Sequence, residues 1–206
     1  MTALQILYSD DEVVVIDKPT SLLSVPGRTS DKQDCVLQRL EQIGLNVLVV
    51  HRLDRDTSGV LLFARNSTAQ SKLNRAFAER RVLKRYEAFV TGTVSDPEGR
   101  VDLPLRKDMK SQLPPRYVVD HDHGKPAQTD WKIVGNVEGD SRLSLRPLTG
   151  RSHQLRVHCQ SIGHPIVGDP IYGTKQADRL MLHAVELTFP HPTDDAILTV
   201  RSECPF

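Results

Sequence analysis

The sequence predicts an α+β fold: a mixed, largely antiparallel β-sheet with a few flanking helices. Three observations carry that prediction. Short β-rich runs recur along the whole chain, among them Val13–Ile16, Val60–Ala64 and Leu143–Leu148. Only three segments place apolar residues at helical spacing. These helices do not alternate with the strands as a parallel βαβ sheet requires. At 206 residues, 38% apolar and 26% charged, the chain suits one large globular domain or two tightly joined halves and is long enough to bury a core.

Leu4–Tyr8 and Val13–Ile16 read as strands joined by the polar turn Ser9–Glu12, and Lys18-Pro19 ends the second. Leu22–Gly27 is a loop. Asp34 fits a helix N-cap, with Val36, Leu37, Leu40 and Ile43 as the apolar stripe and Gly44 as the stop. Val47–Val50 and Val60–Ala64 are strands. Asn66 or Ser67 caps a second helix, whose stripe is Ala69, Leu73, Ala76 and Phe77 and whose basic side is Lys72, Arg75, Arg80 and Arg81. In the strand Val82–Val90, alternation puts Lys84, Tyr86, Ala88 and Val90 on one face. Ser95–Gly99 is a turn, and the Pro-rich, basic stretch 100–127 is an extended hairpin or loop. Gln128–Val134 and Leu143–Leu148 are strands. Ser152 fits the cap of a third helix with stripe Leu155, Cys159 and Ile162, ended by Gly163. Leu182–Phe189 and Ile197–Val200 complete the strands.

Composition narrows the function classes. The 27 basic and 26 acidic residues give a net charge of +1, so bulk charge does not mark a nucleic-acid binder. The bases are nonetheless clustered, at Arg80-Arg81, Lys84-Arg85, Arg106-Lys107, Lys110, Arg151 and Arg156, and a fold can gather them on one face. The competing reading is an ordinary solvated surface. Cys35, Cys159 and Cys204 lack zinc-ligand spacing and read as free thiols. No apolar stretch is long enough to span a bilayer and no signal peptide is evident, so a cytoplasmic protein without membrane contact is expected.

Two stretches could carry chemistry. In His51-Arg-Leu-Asp-Arg-Asp-Thr-Ser-Gly59, the last four residues are enough for a turn, which leaves Arg52-Leu-Asp54 unexplained. Charged groups at the end of a strand suit a cleft, and a salt-bridged surface turn is the equal alternative. In Thr149–Gln160, Arg151, Ser152 and His153 lie at a helix start, where free N–H groups favour an anion. Arg156 sits within an apolar helix and wants a carboxylate, for which Asp54 or Asp56 would serve. A metal phosphohydrolase built on His51, Asp54, Asp56, His153 and His158 is disfavoured, because Arg52, Arg55 and Arg151 would repel a cation. His158 and His183 read as structural histidines.

Both stretches resemble the signatures of the RluA-type RNA pseudouridine synthases. So do Lys18-Pro19 with Leu22-Leu23, Gly163–Asp169 with Tyr172-Gly173, and Leu182-His-Ala184 with His191-Pro192. The resemblance spans nearly the whole chain in order. It implies a pseudouridine synthase-like fold with a central cleft, and residues 1–206 as a single catalytic domain without an S4-like RNA-binding domain. The run Leu22–Arg28 and the short length point to the dual-specificity branch, which acts on an rRNA hairpin and a tRNA anticodon stem-loop; a tRNA-only member is the alternative. The resemblance makes Asp54 the catalytic aspartate, Arg156 its ion-pair partner and Tyr86 the residue that stacks on uracil. It sets Arg52 against the RNA, in the space of the displaced base. Arg55, Lys84, Arg85, Arg151 and His153 are the further candidates for RNA contacts. No cofactor or metal is expected, since the reaction is an isomerisation, and a monomer acting on structured RNA is the default. A non-catalytic RNA-binding protein on the same scaffold is disfavoured because Asp54 and Tyr86 are both present.

Overall fold

Val13–Ile16 and Val60–Ala64 show no polar alternation, so both faces of each strand must be covered. The computed structural model, which describes residues 4–27, 29, 33–111 and 114–206, buries all nine of these side chains. The chain forms two compact units, Met1–Lys84 with His183–Phe206, and Arg85–Leu182. In the first unit run β1 (Gln5–Ser9), β2 (Val13–Lys18), α1 (Val36–Gln42), β3 (Leu48–Val49), β4 (Ser58–Ala64) and α2 (Ser67–Ala78). The chain leaves along β5 (Leu83–Val90). In the second unit follow β6 (Glu98–Asp102), β7 (Leu105–Lys107), β8 (Tyr117–Val119), β9 (Gln128–Val137), β10 (Asp140–Pro147) and α3 (Gln154–Ser161). It returns along β11 (Leu182–Pro190) and ends with β12 (Ile197–Arg201).

In the first unit β4 is the central strand. It pairs antiparallel with β2 along its length, antiparallel with β3 at Phe63 and Ala64, and parallel with β11 at Ser58 and Gly59. The parallel pair explains Gly59. Its φ is +109°, and a Cβ there would lie 2.2 Å from the carbonyl oxygen of Ala184, a backbone atom that cannot rotate away. Helix α2 lays Ala69, Leu73 and Ala76 against Val13, Val15, Val60, Leu62 and Phe189. Asn66 caps it, its side-chain oxygen accepting from the Ala69 amide at 2.8 Å. On the basic side of α2, Glu79 pairs with Arg75 and Arg81, and Arg81 also reaches Asp195.

In the second unit β5, β10, β9 and β6 form an antiparallel run, and β7–β8 is a separate hairpin. The basic stretch after residue 100 is therefore an extended hairpin, as one of its two readings had it. The expected turn Ser95–Gly99 is shorter than predicted, because Glu98 and Gly99 join β6 opposite Lys132 and Trp131. Two expected helix caps move. Cys35, not Asp34, caps α1, its sulfur accepting from the Gln38 amide, while Asp34 binds Arg39 instead. His153, not Ser152, occupies the cap position of α3, with φ +55° and no side-chain cap bond. Arg28, at the end of the run that narrowed the resemblance, lies outside the described residues. Among the described residues no helix is long and apolar enough to cross a membrane.

Candidate active site

The loop 51–57 joins β3 to β4, and a second segment stitches it in place. Lys18, fully buried, gives its three N–H donors to the carbonyls of Pro19, Leu22 and Arg55 at 2.7–2.8 Å. The Ser24 hydroxyl donates to the Leu53 carbonyl at 2.8 Å and accepts from the Leu53 amide at 3.2 Å. Thr20 donates to the Asp56 carbonyl, and the Thr57 amide closes a turn onto the Asp54 carbonyl. Side chains from residues 18–24 thus satisfy the backbone carbonyls of Leu53, Arg55 and Asp56. The alternation read as a continuing strand is real in exposure but not in hydrogen bonding. Arg52 is exposed, Leu53 buried and Asp54 half-buried, with no ladder through them.

The remaining ionisable residues of the loop divide plainly. His51 is structural: its Nε2 accepts the Leu62 amide at 3.0 Å and its ring packs on Phe77, with centroids 5.0 Å apart. Burial, with the Lys84 charge, pulls its pKa down to about 3, so it is neutral across the physiological range. Arg55 is exposed and holds Asp56 only loosely, at 3.8 Å. Behind the loop, His183 bridges two hydroxyls, Ser58 at 2.7 Å and Ser202 at 3.0 Å, all three buried. His158 is satisfied likewise, by Thr129 and the Leu103 carbonyl, and burial lowers its pKa. His51 and His158 therefore spend on the protein the nitrogens that the metal reading required.

In the second unit the buried Arg156 has a carboxylate partner that sequence reasoning missed. Asp169 takes its Nε and Nη2 at 2.7 and 2.6 Å, in bidentate geometry. Burial raises the Asp169 pKa, but the Arg156 hydrogen bonds and charge, with the amides of Ile171 and Tyr172, outweigh it and hold the carboxyl below its ordinary value. A lone acid in the otherwise apolar Pro165–Tyr172 stretch was the available signal. Gln154, the first residue of α3, ties the segment before the helix to β9. Its Oε1 accepts from the Arg151 amide and the Thr149 hydroxyl, and its Nε2 donates to Gln128 and Thr129 on β9.

Tyr86 lies half-buried on β5 opposite Leu145, at the rim of the core formed by Ala88, Val90, Leu143 and Leu155. Of the other candidates for RNA contacts, Lys84 is half-buried, and burial pulls its ammonium pKa down to about 8. Arg85 pairs with Glu87, which also binds Arg142. Arg151 is exposed and donates to the Pro126 carbonyl. His153 Nδ1 lies 2.9 Å from the Tyr172 hydroxyl.

Residues 12–161 match the family model described as RNA pseudouridylate synthase. The chain is 43% identical to the dual-specificity RNA pseudouridine synthase RluA of Escherichia coli strain K12, covering 98% of this chain and 94% of that one. The protein of the same name from Vibrio vulnificus is 41% identical over 98% of this chain and 84% of its own length. Among solved structures, human RNA pseudouridylate synthase domain containing 1 superposes with a TM-score of 0.83 at 30% identity, over 98% of this chain and 84% of that one. Human RNA pseudouridylate synthase domain containing 4, at 24% identity and a TM-score of 0.78, shares the fold.

Proposed function

The chain belongs to the RNA pseudouridylate synthase family, and from that premise we propose that it converts specific uridines to pseudouridine in two kinds of structured RNA, an rRNA hairpin and a tRNA stem-loop. In this reading it works as a monomer in the cytoplasm. Asp54 is the catalytic carboxylate, Arg156, whose Nε and Nη2 hold Asp169, is its ion-pair partner as well, and Tyr86 is the platform under the uracil. Arg52 faces the RNA beside Asp54, and Arg55, Lys84, Arg85, Arg151 and His153 are the remaining RNA contacts. The observation that carries the reading is the stitched loop: four side-chain hydrogen bonds from residues 18–24, with the Thr57 amide closing onto the Asp54 carbonyl, fix the backbone on either side of Asp54. A carboxylate that must meet a sugar or base within a few tenths of an ångström needs such a mount.

The chemistry fits this residue set. The N1–C1′ glycosidic bond breaks, the uracil turns, C5 bonds to C1′, the C5 proton leaves and N1 gains one. Atoms and electrons balance without an oxidant or cofactor. An ionised carboxylate is needed as nucleophile or as base, and a guanidinium partner favours that charged form. The target base must leave its stack at a cost of roughly a few kcal/mol, least in a loop, which suits hairpin substrates. Phosphate contacts would supply affinity, and RNA shape the selection.

The test is tritium release from C5-tritiated uridine in separate rRNA and tRNA hairpins. Wild type releases label from both and keeps doing so in chelator, whereas Asp54→Asn releases none. Release by Asp54→Asn at the wild-type rate would overturn the assignment of Asp54. Release from the tRNA hairpin alone would replace dual specificity with the tRNA-only reading.

A further inference from the structure

Tyr172 joins more elements than any role given to it so far explains. It is 3% exposed, and its ring lies beneath the Arg156 guanidinium, 5.1 Å from centroid to Cζ. Its amide donates to Asp169, the buried partner of Arg156. Its hydroxyl accepts the backbone amide of Tyr117, the first residue of β8, at 2.8 Å. The same hydroxyl meets His153 Nδ1 at the head of α3, whose ring packs against Tyr117 at 5.2 Å. One side chain therefore connects the Arg156–Asp169 pair, the start of α3 and the β7–β8 hairpin. The apolar anchor of that hairpin is small: Leu105, Tyr117 and Val119 against Val157 and Ile171. The hairpin is otherwise exposed and basic. Arg106, Lys107, Lys110 and Arg116 are all solvent-facing; Arg106 is engaged by Asp120, and the Arg116 guanidinium lies 5.6 Å from the centroid of the Tyr172 ring.

We propose that Tyr172 is a positioning residue whose hydroxyl latches the β7–β8 hairpin beside the Arg156–Asp169 pair, so that the hairpin's lysines and arginines form a fixed arm for the RNA backbone. The proposal rests on the isomerase reading for its substrate, but the latch itself is a property of the second unit alone. A latch of this kind acts on RNA capture. The ring under Arg156 supports the guanidinium, and the hydroxyl sets the arm. Removing only the oxygen separates the two.

The hydroxyl–amide bond can be cut from either side. Tyr172→Phe deletes the acceptor and keeps the ring. Tyr117→Pro deletes the donor and leaves the Tyr172 hydroxyl in place, at a strand's first position where proline is tolerated, but also takes the Tyr117 ring out of the anchor, for which Tyr117→Ala is the control. Steady-state tritium release from a stem-loop RNA is expected to show KM raised at least about fivefold in both variants, from the loss of the hydroxyl–amide bond they share, and more in Tyr172→Phe, which also loses the His153 contact, with kcat within twofold of wild type. Hydrogen exchange without RNA is expected to show amides of 105–107 and 117–119 exchanging about fivefold faster, with protection in α3 retained. Unchanged exchange in the hairpin, or a fall in kcat with KM held, overturns the proposal. Failure of wild type to release tritium would count against the isomerase reading alone, because the exchange measurement reads the latch without RNA.

Discussion

Replacing Asp169 with Asn tests whether the Arg156–Asp169 pair holds the second unit together. In the wild type, Asp169 Oδ1 accepts Arg156 Nη2 at 2.6 Å and the amides of Ile171 and Tyr172 at 2.9 and 3.0 Å, while Oδ2 accepts Arg156 Nε at 2.7 Å. The side chains of the pair are 3% and 0% exposed, so water cannot replace the lost partner. Asparagine keeps one acceptor but turns an N–H donor toward Arg156 Nε and removes the negative charge. Breaking one side of a buried pair costs about 3–5 kcal/mol. For a chain of this length each kcal/mol moves Tm by roughly 2–4 °C, which gives a drop of about 6–20 °C at pH 7, read by thermal melting. The effect has a signed pH dependence. The folded pKa of Asp169 lies below its ordinary value of 3.8, so in acid the unfolded chain binds the proton first. The stabilisation is complete above that ordinary value and is lost as pH falls through the depressed one, so the two melting curves converge in acid. The same loss made from the other side, Arg156→Met, should also lower Tm, because it leaves the Asp169 carboxylate without the two guanidinium N–H donors it now has. A variant melting within 1 °C of wild type at pH 7, or a gap that widens in acid, would refute the reasoning.

Two further outcomes follow from the first unit. Gly59→Ala should lose at least about 3 kcal/mol in urea unfolding, since it combines a strained positive φ with a contact on the Ala184 backbone; a midpoint equal to wild type would mean that β4 and β11 can separate there at no cost. The His51 ring protons should show no titration by NMR between pH 4.5 and 8, because the folded pKa is about 3. The unfolded chain binds that proton near its ordinary 6.5, so the contribution of His51 to stability is full above 6.5 and declines as pH falls toward 3. A titration midpoint near 6.5 would show that the ring is not buried away from water.

The sequence by itself determined what depends on neighbours in the chain. The unbroken apolar runs Val13–Ile16 and Val60–Ala64 specified strands covered on both faces, and β2 and β4 are those strands. Ala69, Leu73 and Ala76 specified the buried stripe of α2, and its cap was narrowed to Asn66 or Ser67, of which Asn66 serves. The polar loop between two apolar strands marked His51–Gly59 as a place to look for function, and the order of its neighbouring motifs marked the family.

Tertiary structure alone decided which of those polar residues are structural and which partner each one takes. His51 looked like the first member of a charged loop, yet it is a neutral acceptor for an amide 11 residues on, and nothing in the local pattern encodes that pairing. Lys18 reads as the polar end of a strand, and its burial makes sense only once the carbonyl of Arg55, 37 residues away, is beside it. Arg156 announced its need for a carboxylate, but Asp169 meets that need from a turn whose shape requires Gly168 at φ +72°. Periodicity records which side of an element is apolar. A buried charge is settled by whichever long-range donors or acceptors folding brings within about 3 Å of it, and those pairings leave no period in the sequence.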